Sequence, residues 1–394
     1  MKRTMFKTIF TLCAVVVTSL SLSFAQSPNS TFQLPEYAVK SWIIMDYDTG
    51  AILAESNSNI KFEPASITKI MTDYVVADAI EKGKIHTSDK VLVSAKSRSM
   101  PGSRMFLEEG TLVPVDQLLQ GLIVQSGNDA AVALAEHVAF SEDAFAVKMN
   151  ELAAEIGMKD SHFKNASGLP DPEHVTTSYD LAVLSRSLIK NFPDHYKFYS
   201  QKSFTWNNIQ QKNRNSRLWE DPSVDGIKTG HTNSAGYGLA SSAERNGFRI
   251  IVVVMGADSE AYRQRVSREL INFAFQNFDR KKIYEAGQVI ANANVLHGIE
   301  ATVPVGVNES ITATLPRIQY DNLKAQIQVN AGLEAPIKKG DQVGNLEFYI
   351  DSHLLYSFPV VALADVEKTG IFLRLWSSFL TKINNKISKF KGAL

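Results

Sequence analysis

Ser66 and Lys69 stand three residues apart, so a helix would carry both on one face. A serine hydroxyl is a weak nucleophile until a base takes its proton. Lysine serves as that base only when its pKa falls, through desolvation or a second cation. Lys228 is the expected cation, provided it closes on the same cleft. Ser126 and Asn128 add a hydroxyl to relay a proton from Lys69 to a leaving amine and a carboxamide to bond a substrate amide. Lys228-Thr229-Gly230 reads as strand, with Gly230 leaving room for a substrate backbone alongside. The backbone N–H of His231 is a second oxyanion donor, beside those at the helix start; its ring is given no catalytic role. The chemistry these groups describe is acyl transfer through a serine ester.

None of the three patterns is specific alone. Ser-x-x-Lys recurs at Ser58/Lys61, Ser161/Lys164, Ser187/Lys190 and Ser388/Lys391, Ser-x-Asn at Ser27, and Lys-Thr-Gly at Lys368. Ser66/Lys69, Ser126/Asn128 and Lys228 to Gly230 supply all three in order within one run of alternating elements, each in a fitting setting, with Ser66 opening a helix after Pro64-Ala65.

Those elements can be read from caps and periodicity. Ser66 opens a helix after Pro64-Ala65 that ends at Glu81 before Gly83. Ser126-Gly127-Asn128 falls in a loop between helical stretches 115–124 and 130–138. Val224 to Ile227 lead a strand into Lys228, along which substrate could add as a further strand. Hairpins are expected over 41–55 and, across Asn246-Gly247, over 237–255. Helices are expected over Ser141 to Ile156 and Ser259 to Asn277, the latter with Tyr262, Val266, Leu270 and Phe273 on one face. Helices interleaved with antiparallel strands predict an α+β (mixed α/β) fold. From 283 to 364, short alternating runs between Gly, Asn and Asp turns predict a small all-β domain.

Both ends differ from this body. Lys2, Arg3 and Lys7 precede an uncharged apolar run and Ser23-Phe24-Ala25, which predicts a signal peptide over 1–25. Near the other end, Phe372, Leu375, Phe379, Ile383, Ile387 and Phe390 share one helical face, with Arg374, Lys382, Lys386, Lys389 and Lys391 off it. Residues 371–394 therefore predict an amphipathic helix lying in a membrane surface. The expected division is 1–25, a catalytic domain 26–282, the β domain 283–364 and an anchor segment 365–394.

The 394-residue chain holds 41 basic and 41 acidic residues, but its bases crowd the two ends and leave an acidic body. That argues against nucleic acid as a partner. Cys13, the single cysteine, lies within the expected signal peptide, which excludes disulfides and cysteine chemistry from the processed chain. Eight scattered histidines give no metal-binding spacing, and no glycine-rich nucleotide loop occurs, so no cofactor is expected.

Together, Ser66-x-x-Lys69, Ser126-x-Asn128 and Lys228-Thr229-Gly230 resemble the penicillin-recognising serine enzymes. Pro64 to Thr72, His162-Phe163-x-Asn165-x-x-Gly168-Leu169 and Asp225 to Thr232 resemble the low-molecular-mass D-alanyl-D-alanine carboxypeptidases, over nearly the whole chain beyond the signal. The resemblance implies a β-lactamase-like transpeptidase domain. Substrates would be peptidoglycan stem peptides ending in D-Ala-D-Ala, and β-lactam antibiotics would be covalent inhibitors. It also implies an exported enzyme on the outer face of the cytoplasmic membrane. Catalytic roles fall on Ser66, Lys69 and Ser126. Substrate binding falls on Asn128, Lys228, Thr229, Gly230, His231 and an arginine after the last strand, Arg263, with Arg265 as second choice. A serine β-lactamase is disfavoured because the stretch Lys159 to Ala166 lacks the deacylating glutamate of those enzymes. A non-catalytic wall-binding module is disfavoured by the complete set of chemical residues. A D,D-endopeptidase acting on crosslinks would use the same chemistry.

Overall fold

The computed structural model describes residues 34–370. The expected signal peptide and the amphipathic stretch 371–394 lie outside the described residues.

Five strands form the main sheet: β1 (Ser41–Asp46), β2 (Ile52–Ser56), β3 (Val224–Thr232), β4 (Gly236–Arg245) and β5 (Phe248–Ala257). Their spatial order is β2-β1-β5-β4-β3, every neighbour antiparallel. Both central residues of the expected Asn246-Gly247 turn have positive φ, 53° and 74°, as a tight hairpin requires. The sheet is covered on both faces. Ile43, Met45, Ile251, Val253 and Met255 face one core, and Trp42, Ile44, Ile250, Val252 and Val254 face another. That is why Trp42 to Met45 and Ile250 to Met255 read as unbroken apolar runs.

The first core holds α1 (Lys69–Glu81), α2 (Asn128–Ala139), α3 (Glu142–Glu155) and α4 (Ser178–Asn191). The second is closed by α5 (Glu260–Asn277), whose Val266, Leu270, Ile271 and Ala274 are fully buried. Each such side chain of leucine size contributes about 1.5–3 kcal/mol on burial. Helix α1 is buried nearly all round, from Lys69 to Ala77. It is a central helix rather than an amphipathic surface one.

Beyond α5 the chain is β: β6 (Phe278–Tyr284), β7 (Val289–Asn294), β8 (Thr302–Gly306), β9 (Ile311–Pro316), β10 (Lys324–Val329), β11 (Gln342–Ile350) and β12 (His353–Ala362). A five-stranded sheet runs β7-β8-β12-β11-β10, and β6 pairs with β9. Val303, Val305, Leu346, Phe348 and Val360 fill its core. The Thr314 hydroxyl on β9 donates to the buried Asp46 carboxylate at the end of β1 (2.6 Å), tying this part to the main sheet. The α+β class followed by an all-β unit is as expected. Among the described residues, no helix is long and apolar enough to cross a membrane.

Candidate active site

Ser66 sits on a tight turn where α1 meets the edge of the main sheet. The sequence predicts a helix starting at Ser66; instead Ala65–Thr68 form a 3₁₀ turn, and the α-helix starts at Lys69. Such turns are common at helix N-termini. This one is pressed against the sheet. A Cβ on Gly230 would lie 3.0 Å from both Pro64 O and Ile67 Cγ1, and one on Gly238 would lie 3.0 Å from Ile67 Cδ1. Gly230 and Gly238 face each other on β3 and β4. The space that Gly230 leaves is thus taken by the Ser66 turn, not by a substrate backbone. The room for an added strand lies at the outer edge of β3, which among the described residues pairs only with β4.

Lys69 is 1 % exposed. Its Nζ lies 2.7 Å from Asn128 Oδ1, 2.6 Å from the Ser167 carbonyl oxygen and 3.1 Å from Ser66 Oγ. The Ser167 carbonyl is delivered by a loop built on Asn165, whose Oδ1 accepts N–H bonds from Ser167, Gly168 and Leu169. Gly168 is obligatory there. Its φ is +81°, and a Cβ would fall 1.9 Å from the Ala65 carbonyl oxygen. Thr72 on α1 binds the same loop through Ala166 O (2.6 Å).

Burial pulls the Lys69 ammonium down to about 7, helped by the Arg214 guanidinium and opposed by the Asp129 carboxylate. Desolvation, expected from the sequence as one cause, is the larger one, and the repulsion expected between Lys69 and Lys228 falls on Lys228. Lys228 is itself buried and held well below the ordinary lysine range, first by burial, then by Lys69, Arg214 and Arg263.

A cavity of about 490 Å³ is lined by Ser66, Ser103, Ser126, Arg214, Thr229, Gly230, His231, Tyr237, Glu260 and Arg263. The structure thus gathers Ser66, Ser126, Thr229, Gly230, His231 and Arg263 from four distant stretches of chain, with Lys69, Lys228 and Asn128 buried around them. Ser126 adopts a left-handed conformation (φ 64°) that turns it into the cleft; its hydroxyl bonds neither Lys69 nor Lys228. Asn128 holds Lys69 with its oxygen and the Pro101 carbonyl with its nitrogen (2.6 Å). The His231 ring stacks on Tyr237, centroids 4.0 Å apart. Arg263 is 3 % exposed and bonds Glu260 (3.0 Å). Arg265 lies outside the cavity, over Tyr262. Glu173 is exposed and paired with Lys164 (3.0 Å), outside the contacts of Lys69.

Sequence reasoning missed Arg214, Ser103, Ser167 and Asp129. The Asp129 carboxylate accepts N–H bonds from Met105, Phe106 and Leu107 (3.0, 2.9 and 3.1 Å), while Ser103 O accepts from the Asn128 N–H (2.7 Å). Together they pin the segment that carries Ser103 over the cleft. An acid directly after Ser-x-Asn at a helix start was a visible signal; a lone arginine in a polar stretch was not.

Two family models match the chain: D-alanyl-D-alanine carboxypeptidase over residues 28–259, and the C-terminal domain of penicillin-binding protein 5 over residues 278–368. The D-alanyl-D-alanine carboxypeptidase DacA of Haemophilus influenzae is 37% identical over 383 residues, covering 96% of each chain. DacD of Escherichia coli K12 is 40% identical over 376 residues, covering 93% of this chain and 97% of its own. Among solved structures, penicillin-binding protein 5 from H. influenzae superposes with a TM-score of 0.80 at 37% identity, over 86% of this chain and all of its own. Penicillin-binding protein D2 from Listeria monocytogenes, solved in its ampicillin-bound form, matches at 26% identity and a TM-score of 0.57, over 62% of this chain. The chain belongs to the D-alanyl-D-alanine carboxypeptidase family.

Proposed function

We propose that this member of the family is a serine carboxypeptidase that removes the terminal D-alanine from peptidoglycan stem peptides through an ester on Ser66. The observation that carries this reading is the set of partners around Lys69 Nζ. A neutral amine has two hydrogens and one lone pair. Asn128 Oδ1 and Ser167 O take the hydrogens, and the lone pair is left for Ser66 Oγ at 3.1 Å. With its pKa near 7, Lys69 is neutral in a useful fraction of molecules at neutral pH.

Each step then follows from that geometry. Lys69 takes the Ser66 proton as Oγ adds to the carbonyl carbon of the penultimate D-alanine. Backbone N–H groups of Ser66 and His231 hold the oxyanion. Thr229 and Arg263 bind the terminal carboxylate, a charge-assisted contact. As the C–N bond breaks, the proton passes from Lys69 by way of Ser126 to the leaving amine. Water then adds to the ester with the same base, releasing the shortened peptide and restoring Ser66. A β-lactam, whose strained amide enters the same route, would leave its acyl group on Ser66. Residues 1–25 would direct export and residues 371–394 would hold the enzyme to the outer face of the cytoplasmic membrane.

Intact mass after incubation with a penicillin tests the assignment. One acyl group is expected, mapping to the peptide that contains Ser66, and it should be absent from Ser66→Ala. An acyl group on any other residue overturns it.

A further inference from the structure

Arg214 lines the catalytic cavity, and its charge reaches both buried lysines. Yet among the described residues its guanidinium has no ion pair and no hydrogen bond of its own. A long side chain without a partner stands where its backbone places it. That backbone is held on both sides. Asn213 and Asn215 are 7 % and 1 % exposed, while Arg214 between them is exposed.

Each asparagine bonds at both ends of its amide, and the two ends do different things. The oxygens serve the local chain: Asn213 Oδ1 accepts from the Asn215 N–H (3.0 Å), and Asn215 Oδ1 from the Arg217 N–H (3.2 Å). An ordinary asparagine turn needs no more than that. The nitrogens reach other parts of the chain, 12 and 11 residues away. Asn213 Nδ2 donates to Gln201 O (3.0 Å), and Gln201 donates to Gln120 Oε1 (2.9 Å) on the helical stretch that runs on to Ser126. Asn215 Nδ2 donates to the Gly226 carbonyl oxygen (3.0 Å) on β3, just ahead of Ile227 and Lys228. The pair therefore spans from the wall that carries Ser126 to the wall that carries Lys228, with Arg214 at its middle. Asparagine suits both places because one short side chain donates and accepts at once.

We propose that Asn213 and Asn215 are positioning residues for the acylation of Ser66, their two amides holding the Arg214 guanidinium at the cleft wall where it faces Lys69 and Lys228. Lys69 is taken here as the base, as in the proposed function above. The effect of one charge on another falls with distance. A shift of the backbone at 214 thus changes what Arg214 does to Lys69 without altering either residue. The other charged and titratable groups around Lys69 and the cleft are Asp129 on α2, His231 on β3, Tyr237 on β4, and Glu260 and Arg263 on α5. None of them is hydrogen-bonded to either asparagine.

Stopped-flow acylation of the full-length enzyme by a penicillin, from about pH 5 to about pH 9, tests this. Asn213→Ala and Asn215→Ala should each move the acid limb upward, as Arg214→Met does, by about 0.5 pH unit, read as about threefold slower acylation on that limb. Asn215→Ala combined with Arg214→Met should move it no further than Arg214→Met alone, because the group to be positioned is gone. Asn215→Ser, which leaves a hydroxyl in the buried place, should move it less, and it stands in if the alanine variant does not fold. The pH of the limb does not depend on how much of the sample is folded, so a merely structural role would slow acylation at every pH and leave the limb where it was. That result overturns the proposal, as do shifts that add in the double variant or an Arg214→Met limb at the wild-type pH. A wild-type enzyme that penicillin does not acylate would instead sink the carboxypeptidase reading.

Discussion

Helix α1 buries two charged side chains one turn apart, Lys69 and Asp73, and treats them in opposite ways. Asp73 is fully buried and compensated: His195 Nε2 lies 2.8 Å from one carboxylate oxygen, and the Tyr199 hydroxyl donates to the other at 2.7 Å. Lys69 is as deeply buried, yet none of its hydrogen-bond partners is a carboxylate; it meets a hydroxyl, an amide oxygen and a carbonyl. A compensated charge anchors the fold. An uncompensated one has its pKa moved into the working range. On the proposed mechanism the difference would separate a structural ion from a chemical one on the same helix.

The sharpest way to break this comparison is to remove each charge in turn. Lys69→Met should slow penicillin acylation by about 10²–10⁴-fold, the usual worth of a positioned base. The same variant should unfold no earlier than wild type and gain up to about 2 kcal/mol, because an uncompensated buried cation is gone. Stopped-flow acylation and urea unfolding measure the two quantities. A large loss of stability would show that Lys69 also anchors the fold.

Asp73→Asn should do the reverse, losing about 3–5 kcal/mol of stability while the folded enzyme acylates at the wild-type rate. Its pH signature follows from His195. Burial alone pulls that imidazole down, but the charge and hydrogen bond of Asp73 more than reverse this, so its pKa is raised above 6.5. A group with a raised folded pKa stabilises fully below its unfolded pKa, about 6.5, and loses that contribution as pH rises through the folded value. Wild-type stability from this pair should therefore decline above about pH 6.5, and the decline should vanish in Asp73→Asn. Urea midpoints across that range decide it.

The smallest effects concern the neighbours of Lys69. The acid limb of kcat/KM should lie near pH 7, where Lys69 loses its proton. Arg214→Met should move that limb to higher pH, since a cation that disfavours the ammonium is removed. Asp129→Asn should move it to lower pH, since the opposing carboxylate is removed. Shifts of the same sign in both variants would mean that loop displacement, not charge, sets the limb.

The site residues that fall together in short sequence windows were legible in the chain. Ser66 with Lys69, Ser126 with Asn128, and Lys228 to His231 announce themselves by spacing, and the Asn246-Gly247 hairpin by its turn chemistry. The α+β class followed from interleaved periodicities. What the chain concealed was closure over long separations. Arg214 reaches Lys69 from a polar stretch with no pattern, and Ser167 acts through a carbonyl oxygen that every residue possesses. The helix boundary was missed by three residues because packing of Ile67 on Gly230 and Gly238, not capping, shapes the Ala65–Thr68 turn.

That packing has an evolutionary consequence. Any side chain at position 230 would crowd the Pro64–Ile67 backbone, and one at 238 would strike the Met255 sulfur at 2.6 Å as well as Ile67. A side chain at 230 presses on the turn that carries Ser66, whereas one at 238 pushes on the Met255 and Ile67 side chains packed behind that turn. On the proposed mechanism drug and substrate would both need Ser66 in the same place, so escape from an antibiotic through position 230 would forfeit the reaction as well. Selection is left to work at the rim, on side chains such as Ser103 and Tyr237 that line the cavity without supporting the Ser66 turn.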